Sequence, residues 1–139
     1  MESMNGVQIL GLDHIDLSVR DLARSRAFYD SVLTVLGFHR ITDDGTIVWR
    51  GPHLEIGIRA ATSGDEGKPH DRYDVGLHHL AFRAQSRADV DRFHGFLVQE
   101  GIDVLDPPTD YPEYSAPYYA VFFVDPDGIK LELAYRRSA

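Results

Sequence analysis

Two stretches of the chain place a histidine at the same point of the same pattern: Gly11-Leu12-Asp13-His14-Ile15-Asp16-Leu17 and Gly76-Leu77-His78-His79-Leu80-Ala81-Phe82. The correspondence continues downstream. Phe28 falls on Phe93 and, after a slip of one residue, Gly37 falls on Gly101; Leu54-Glu55-Ile56 then matches Leu131-Glu132-Leu133, with Arg59 on Arg136. Each half thus offers one imidazole and one carboxylate. If the halves are copies of one structural unit, a rotation between them brings His14, Glu55, His79 and Glu132 together. Two neutral imidazoles and two carboxylates balance the charge of a divalent cation and suit a hard or borderline metal, without separating nickel, zinc, manganese, cobalt and iron. A six-coordinate shell keeps two further positions, which a small substrate with adjacent oxygens can fill, and the metal then acts as a Lewis acid on oxyanion character as it develops.

The elements that carry these residues follow from hydrophobic period. Residues 9–19 alternate, with Ile15, Leu17 and Val19 on one face and His14, Asp16 and Ser18 on the other, which predicts a half-buried strand with His14 turned from the apolar layer. Asp21 is placed to cap a helix in which Leu22, Ser25, Tyr29, Val32 and Leu36 recur at helical spacing, and Gly37 suits its stop. Short strands follow to Arg59, broken by Asp43-Asp44-Gly45 and Gly51-Pro52. The last sets Leu54, Ile56 and Ile58 against His53, Glu55, Gly57 and Arg59. Residues 9–60 read as one βαβββ module.

Residues 61–75, rich in glycine and charge and without apolar period, are expected to link it to a second module at 76–136. There Leu80, Phe82 and Ala84 oppose His79, Ala81 and Arg83, and alternation puts His78 on the face opposite His79. Ser86 and Asp89 form a capping box before a helix lined by Val90, Phe93 and Leu97 that ends near Gly101. The final strand sets Ile129, Leu131, Leu133 and Tyr135 against Lys130, Glu132, Ala134 and Arg136. Asp125-Pro126-Asp127-Gly128 reads as the turn that aims it. Between Asp106 and Tyr119 four prolines are expected to prevent regular structure, leaving a stiff loop whose tyrosines cover a pocket or pack on the surface.

Composition narrows the function. The chain has 139 residues, enough for one domain of two half-length modules sharing a core. A formal net charge of −8, with no basic run longer than Arg136-Arg137, argues against nucleic acid as a partner. No segment approaches the roughly 18 consecutive apolar residues of a membrane span, and the first ten residues carry no secretory pattern. The absence of cysteine excludes disulfides, thiolate nucleophiles and sulfur-based zinc sites. A soluble, unprocessed, cytoplasmic protein acting on a small molecule is the expectation.

With its paired βαβββ halves, a His in the first strand and a Glu in the last strand of each, Ser25-Arg26-Ala27-Phe28-Tyr29 followed by Leu36-Gly37-Phe38, and Asp125-Pro126-Asp127-Gly128 before Glu132, the chain resembles the vicinal oxygen chelate superfamily of glyoxalase I, extradiol dioxygenases, fosfomycin resistance enzymes and bleomycin-binding proteins. The resemblance covers residues 9–136. It implies an α+β fold of two tandem modules whose curved mixed sheets enclose a metal-binding cavity. It also implies His14, Glu55, His79 and Glu132 as ligands of a divalent metal, and a homodimer in which one site draws on one chain or on two. In glyoxalase I-like chemistry a ligand glutamate moves a proton between neighbouring carbons through a metal-bound enediolate, which makes Glu132 the base and Glu55 its partner carboxylate. The activity so implied is that of a lyase or isomerase.

Two other functions stand beside it. An extradiol-type dioxygenase or antibiotic-modifying transferase uses a facial triad with open positions, here His14, His79 and Glu132 with Glu55 a spectator. A sequestering protein holds a small aromatic or cationic molecule without metal, its acidic charge aiding capture. The expected pocket residues are Trp49, Arg59, Arg83, Tyr111, Tyr114 and Tyr119, although Trp49 and Tyr119 serve equally as core by their type. His53, His70 and His94 are read as surface residues, and His39 follows a helix end without a repeat partner.

Overall fold

Alternation of apolar and polar residues yields the first strand, β1 (His14–Val19), and the sequence then supplies α1 (Leu22–Val35), β2 (His39–Asp43), β3 (Thr46–Arg50) and β4 (Glu55–Ala60) in the computed structural model, which describes residues 6–64 and 67–137. Residues 65 and 66 of the expected linker 61–75 lie outside the described residues. The chain divides into two compact units, Met1–Glu66 and Gly67–Ala139.

In the first unit Asp21 caps α1, its carboxylate accepting from the Arg24 backbone N–H at 3.1 Å, an interaction worth about 1 kcal/mol. The buried stripe of the helix is Ser25, Tyr29, Val32 and Leu33. Gly37, at φ 93°, supplies the left-handed turn that ends it, a conformation costly for a residue with a Cβ. The sheet order is β1-β4-β3-β2, with β1 parallel to β4 and the other pairs antiparallel. Leu17, Val19, Ile47, Trp49, Ile56 and Ile58 form the buried layer.

One boundary differs from the alternation. Polar–apolar periodicity begins at residue 9, yet β1 begins at His14, and Val7, Ile9, Leu10 and Leu12 are exposed. The partner strand sets the limit: β4 begins at Glu55, in register with His14, so the pairing available ahead of β1 is a single bond from the Glu55 N–H to the Asp13 carbonyl.

The second unit repeats the plan with β5 (Leu80–Arg83), α2 (Arg87–Gln99), β6 (Val104–Asp110), β7 (Tyr118–Val124) and β8 (Lys130–Arg136). Its order is β5-β8-β7-β6, and β5 runs parallel to β8. Ser86 caps α2 by accepting from the Asp89 N–H at 3.1 Å. Val90, Phe93 and Leu97 bury the helix, and the Phe93 ring meets Phe123 edge-on at 5.2 Å. The Asp125 carboxylate accepts from the N–H groups of Asp127 and Ile129, both at 2.8 Å, closing the turn that aims β8.

The proline-rich segment corrects the sequence expectation. Pro107 and Pro108 lie inside β6, because β6 is an edge strand whose register with β7 shifts between Val104 and Asp106 and again between Asp106 and Thr109. Edges and bulges are where a residue without an N–H is tolerated in a sheet. Tyr118 and Tyr119 likewise belong to β7. The result is the expected α+β fold, with one four-stranded mixed sheet and one helix in each unit.

Candidate metal centre

Glu132 lies in the middle of β8, flanked by Ala81 of β5 and Phe122 of β7, and the residue is 1% exposed. Burying a carboxylate is costly unless each oxygen finds a partner. Oε2 accepts from the Tyr118 hydroxyl at 2.5 Å, and Oε1 faces His79 Nε2 at 3.2 Å. Burial, followed by the bond to Glu132, pushes the Tyr118 phenol well above its ordinary value, so it stays a donor. His79 precedes β5 and remains partly exposed.

The far nitrogen of His79 is also engaged. His78 Nδ1 and His79 Nδ1 are 2.7 Å apart, one ring donating to the other. Desolvation, then the charges of His79, Lys130 and Arg72, hold the His78 imidazole below its usual 6.5. Alternation expected His78 on the face opposite His79; the expectation fails because the strand starts only at Leu80, so the two histidines precede the pleat.

Aromatic side chains surround this pair. Ala120, Phe122 and Ala134 form a buried cluster on the Glu132 face, with Tyr111 and Tyr118 packed against it. Tyr111 stacks on Tyr114 at 5.4 Å, and Tyr118 meets Tyr114 edge-on at 5.3 Å. Lys130 Nζ sits 4.4 Å from the Phe122 centroid. A cavity of about 240 Å³ is lined by Asp110, Pro112, Ser115, Ala116, Pro117 and Tyr118.

In the first unit the register sets His14 beside Glu55 on neighbouring parallel strands. His14 Nδ1 is 2.8 Å from Asp13 Oδ2, and Arg50 Nε donates to Glu55 Oε2 at 2.9 Å. The Asp13 hydrogen bond, then the charge of Asp16, raises the His14 imidazole above 6.5, with Glu55 adding least. Asp16 lies opposite Gly57, where an added Cβ would stand 2.4 Å from Asp16 Oδ1, so the glycine leaves room for that carboxylate and its 2.9 Å bond from Arg59.

The remaining expected pocket residues separate by face. Tyr111 and Tyr114 stand with the Glu132 cluster. Trp49 is fully buried in the core and donates from Nε1 to Asp30 of α1 at 2.8 Å. Tyr119 faces α2, donating to Asp91 at 2.6 Å beneath the Arg87 guanidinium. Arg83 donates to the Arg136 carbonyl at 3.1 Å, and Arg59 is held by Asp16. Sequence reasoning took His78 as structural or interfacial, did not single out Asp16, Arg50 or Lys130, and named Tyr118 only among the loop tyrosines. The signal for Tyr118 was its even spacing from Ala120 and Phe122, which puts it on their face.

The donor chemistry fits a divalent metal. Cis ligands bonded at about 2.0–2.2 Å stand about 3 Å apart, and the 3.2 Å between His79 Nε2 and Glu132 Oε1 is close to that edge; without metal the same approach is an imidazole–carboxylate contact. Each unit carries one histidine and one glutamate of the expected set. Among the described residues, no group of three or more His, Cys, Asp or Glu side chains is gathered closely enough to hold a metal ion.

Comparison with known proteins agrees with the fold. A protein of Bacillus subtilis (strain 168) called uncharacterized protein YqjT is 35% identical over 123 residues, covering 88% of this chain and 96% of its own. A glyoxalase/bleomycin resistance protein from Albidiferax ferrireducens T118 superposes with a TM-score of 0.71 at 27% identity, covering 90% of this chain and 98% of its own. A lactoylglutathione lyase from Agrobacterium tumefaciens shares the fold at a TM-score of 0.69 and 19% identity, over 91% and 94% of the two chains. The family model for the Glyoxalase/Bleomycin resistance protein/Dioxygenase superfamily matches residues 11–133, and the chain belongs to that superfamily.

Proposed function

We propose that this protein is a divalent-metal-dependent enzyme of the glyoxalase I-like type, a lyase or isomerase acting as a cytoplasmic homodimer on a small substrate with adjacent oxygens. Its protein ligands are His14, Glu55, His79 and Glu132. The observation that carries the reading is the buried Glu132 carboxylate with Oε1 3.2 Å from His79 Nε2. A bound divalent cation supplies Lewis acidity toward the substrate oxygens.

The chain's own residues do the rest. Glu132 moves the proton through Oε1, the oxygen beside His79, since Oε2 is taken by Tyr118. The surrounding Ala120, Phe122, Ala134, Tyr111 and Tyr118 lower the local polarity, which strengthens electrostatic interactions at the carboxylate. Glu55 is the partner carboxylate. The test is metal content by inductively coupled plasma mass spectrometry of the untagged protein beside four single alanine variants. About one transition metal per chain is expected, with loss in at least three of the variants His14→Ala, Glu55→Ala, His79→Ala and Glu132→Ala. Absence of metal from wild type even after reconstitution would replace this reading with a metal-free sequestering protein.

A second reading is favoured by one contact. The ion pair from Arg50 occupies Glu55 Oε2, which makes Glu55 a spectator and leaves His14, His79 and Glu132 as the facial triad of a dioxygenase or transferase. Retention of metal by Glu55→Ala alone selects it.

A further inference from the structure

The two ligands of the second unit are each gripped from behind by a residue that would not itself touch the metal. Tyr118 holds Glu132 Oε2 at 2.5 Å, and His78 Nδ1 holds His79 Nδ1 at 2.7 Å. The two atoms not engaged by these partners, Oε1 and Nε2, are the ones that face each other. We infer that Tyr118 and His78 are positioning residues, an outer clamp that fixes the carboxylate and imidazole in a metal-ready, one-atom-each arrangement. The inference rests on the metal reading above and goes beyond it by assigning roles to two side chains outside the ligand set.

Physical reasoning supports a division of labour between these neighbours. A carboxylate free to rotate about its terminal bond offers a cation either or both oxygens; one with Oε2 held by a hydrogen bond has its orientation set and favours Oε1. An imidazole whose Nδ1 is fixed has its ring plane set and its Nε2 aimed. Neighbouring side chains exclude generic crowding as the explanation, since Tyr119 is adjacent in sequence yet bonds to Asp91 of α2 on the opposite face. His78 remains exposed, so replacing it opens no cavity in the core.

The test is titration of the full chain with cobalt(II), read by its visible ligand-field absorption, for wild type and the variants Tyr118→Phe, His78→Ala and Tyr119→Phe, with the thermal midpoint of each metal-free protein as a control for folding. Tyr118→Phe and His78→Ala are expected to weaken cobalt binding about 10–100-fold and to shift the absorption bands, as loss of an outer partner of a metal ligand does. Tyr119→Phe is expected to leave both affinity and bands as in wild type. Wild-type affinity and spectrum in Tyr118→Phe and His78→Ala, with only a lowered thermal midpoint, would make the two residues structural and overturn the clamp while leaving the metal reading standing. Should Tyr118→Phe not fold, His78→Ala decides alone. A wild-type protein that binds no cobalt overturns the metal reading and the clamp together.

Discussion

A buried carboxylate is costly to fold around, and Glu132 carries that cost. Its side chain is almost fully buried, with a phenol on one oxygen and an imidazole near the other. Glutamine keeps an oxygen for Tyr118 while removing the charge, so Glu132→Gln is expected to leave the metal-free protein as stable as wild type or more stable by about 1–2 kcal/mol. Urea denaturation in the presence of a chelator measures this. A loss of several kcal/mol would instead make Glu132 part of the fold's own scaffold. The four residues of the proposed ligand set stand out in the sequence because an internal repeat places His14 with His79 and Glu55 with Glu132. Trp49 and Tyr119 were not, because residue type leaves their face open. Register decides it: Trp49 lies opposite Ile56, and Tyr119 opposite Tyr135, on the helix-covered sides of their sheets.

At the scale of elements, periodicity located β1, α1, the short strands before Arg59, β5, α2 and β8 but neither β6 nor β7, and the failures lie where pairing overrides local preference. Prolines 107 and 108 argued against a strand, but β7 offered an edge and two register shifts absorbed them. That edge is tied to α2 by Arg87, whose guanidinium donates to both carboxylate oxygens of Asp110, at 2.7 and 3.3 Å. The bond from Arg87 holds the Asp110 carboxyl below its ordinary 3.8. A carboxyl lowered by folding contributes stability above its unfolded value, and that contribution disappears as pH falls through the lower folded value. Both side chains are about half exposed, so the contribution is small and screened by salt. Asp110→Asn is therefore expected to lower the urea midpoint slightly near neutral pH and to converge on wild type in acid well below 3.8. Parallel urea curves across that range check it, and a constant gap between the two proteins would show that the pair's ionisation is not what links β6 to α2.

For the whole molecule the arithmetic of ligands matters more than the shape of either unit. Each unit carries one histidine and one glutamate of the proposed set. Two donors hold a divalent ion weakly beside the three or four that transition-metal enzymes use. The double variants His14→Ala/Glu55→Ala and His79→Ala/Glu132→Ala are both expected to purify without stoichiometric metal, and full metal content in either would dismantle the four-ligand set. Mixing the two variants after unfolding and refolding them together adds a second reading. In a homodimer whose sites combine ligands from two chains, a chain damaged in its first unit and one damaged in its second make a pair with one intact and one doubly defective site. Random pairing then returns about a quarter of wild-type binding. Sites completed within single chains return none, since every chain in the mixture lacks two ligands. Metal content of the mixture thus assigns the chain origin of the ligands without reference to the substrate.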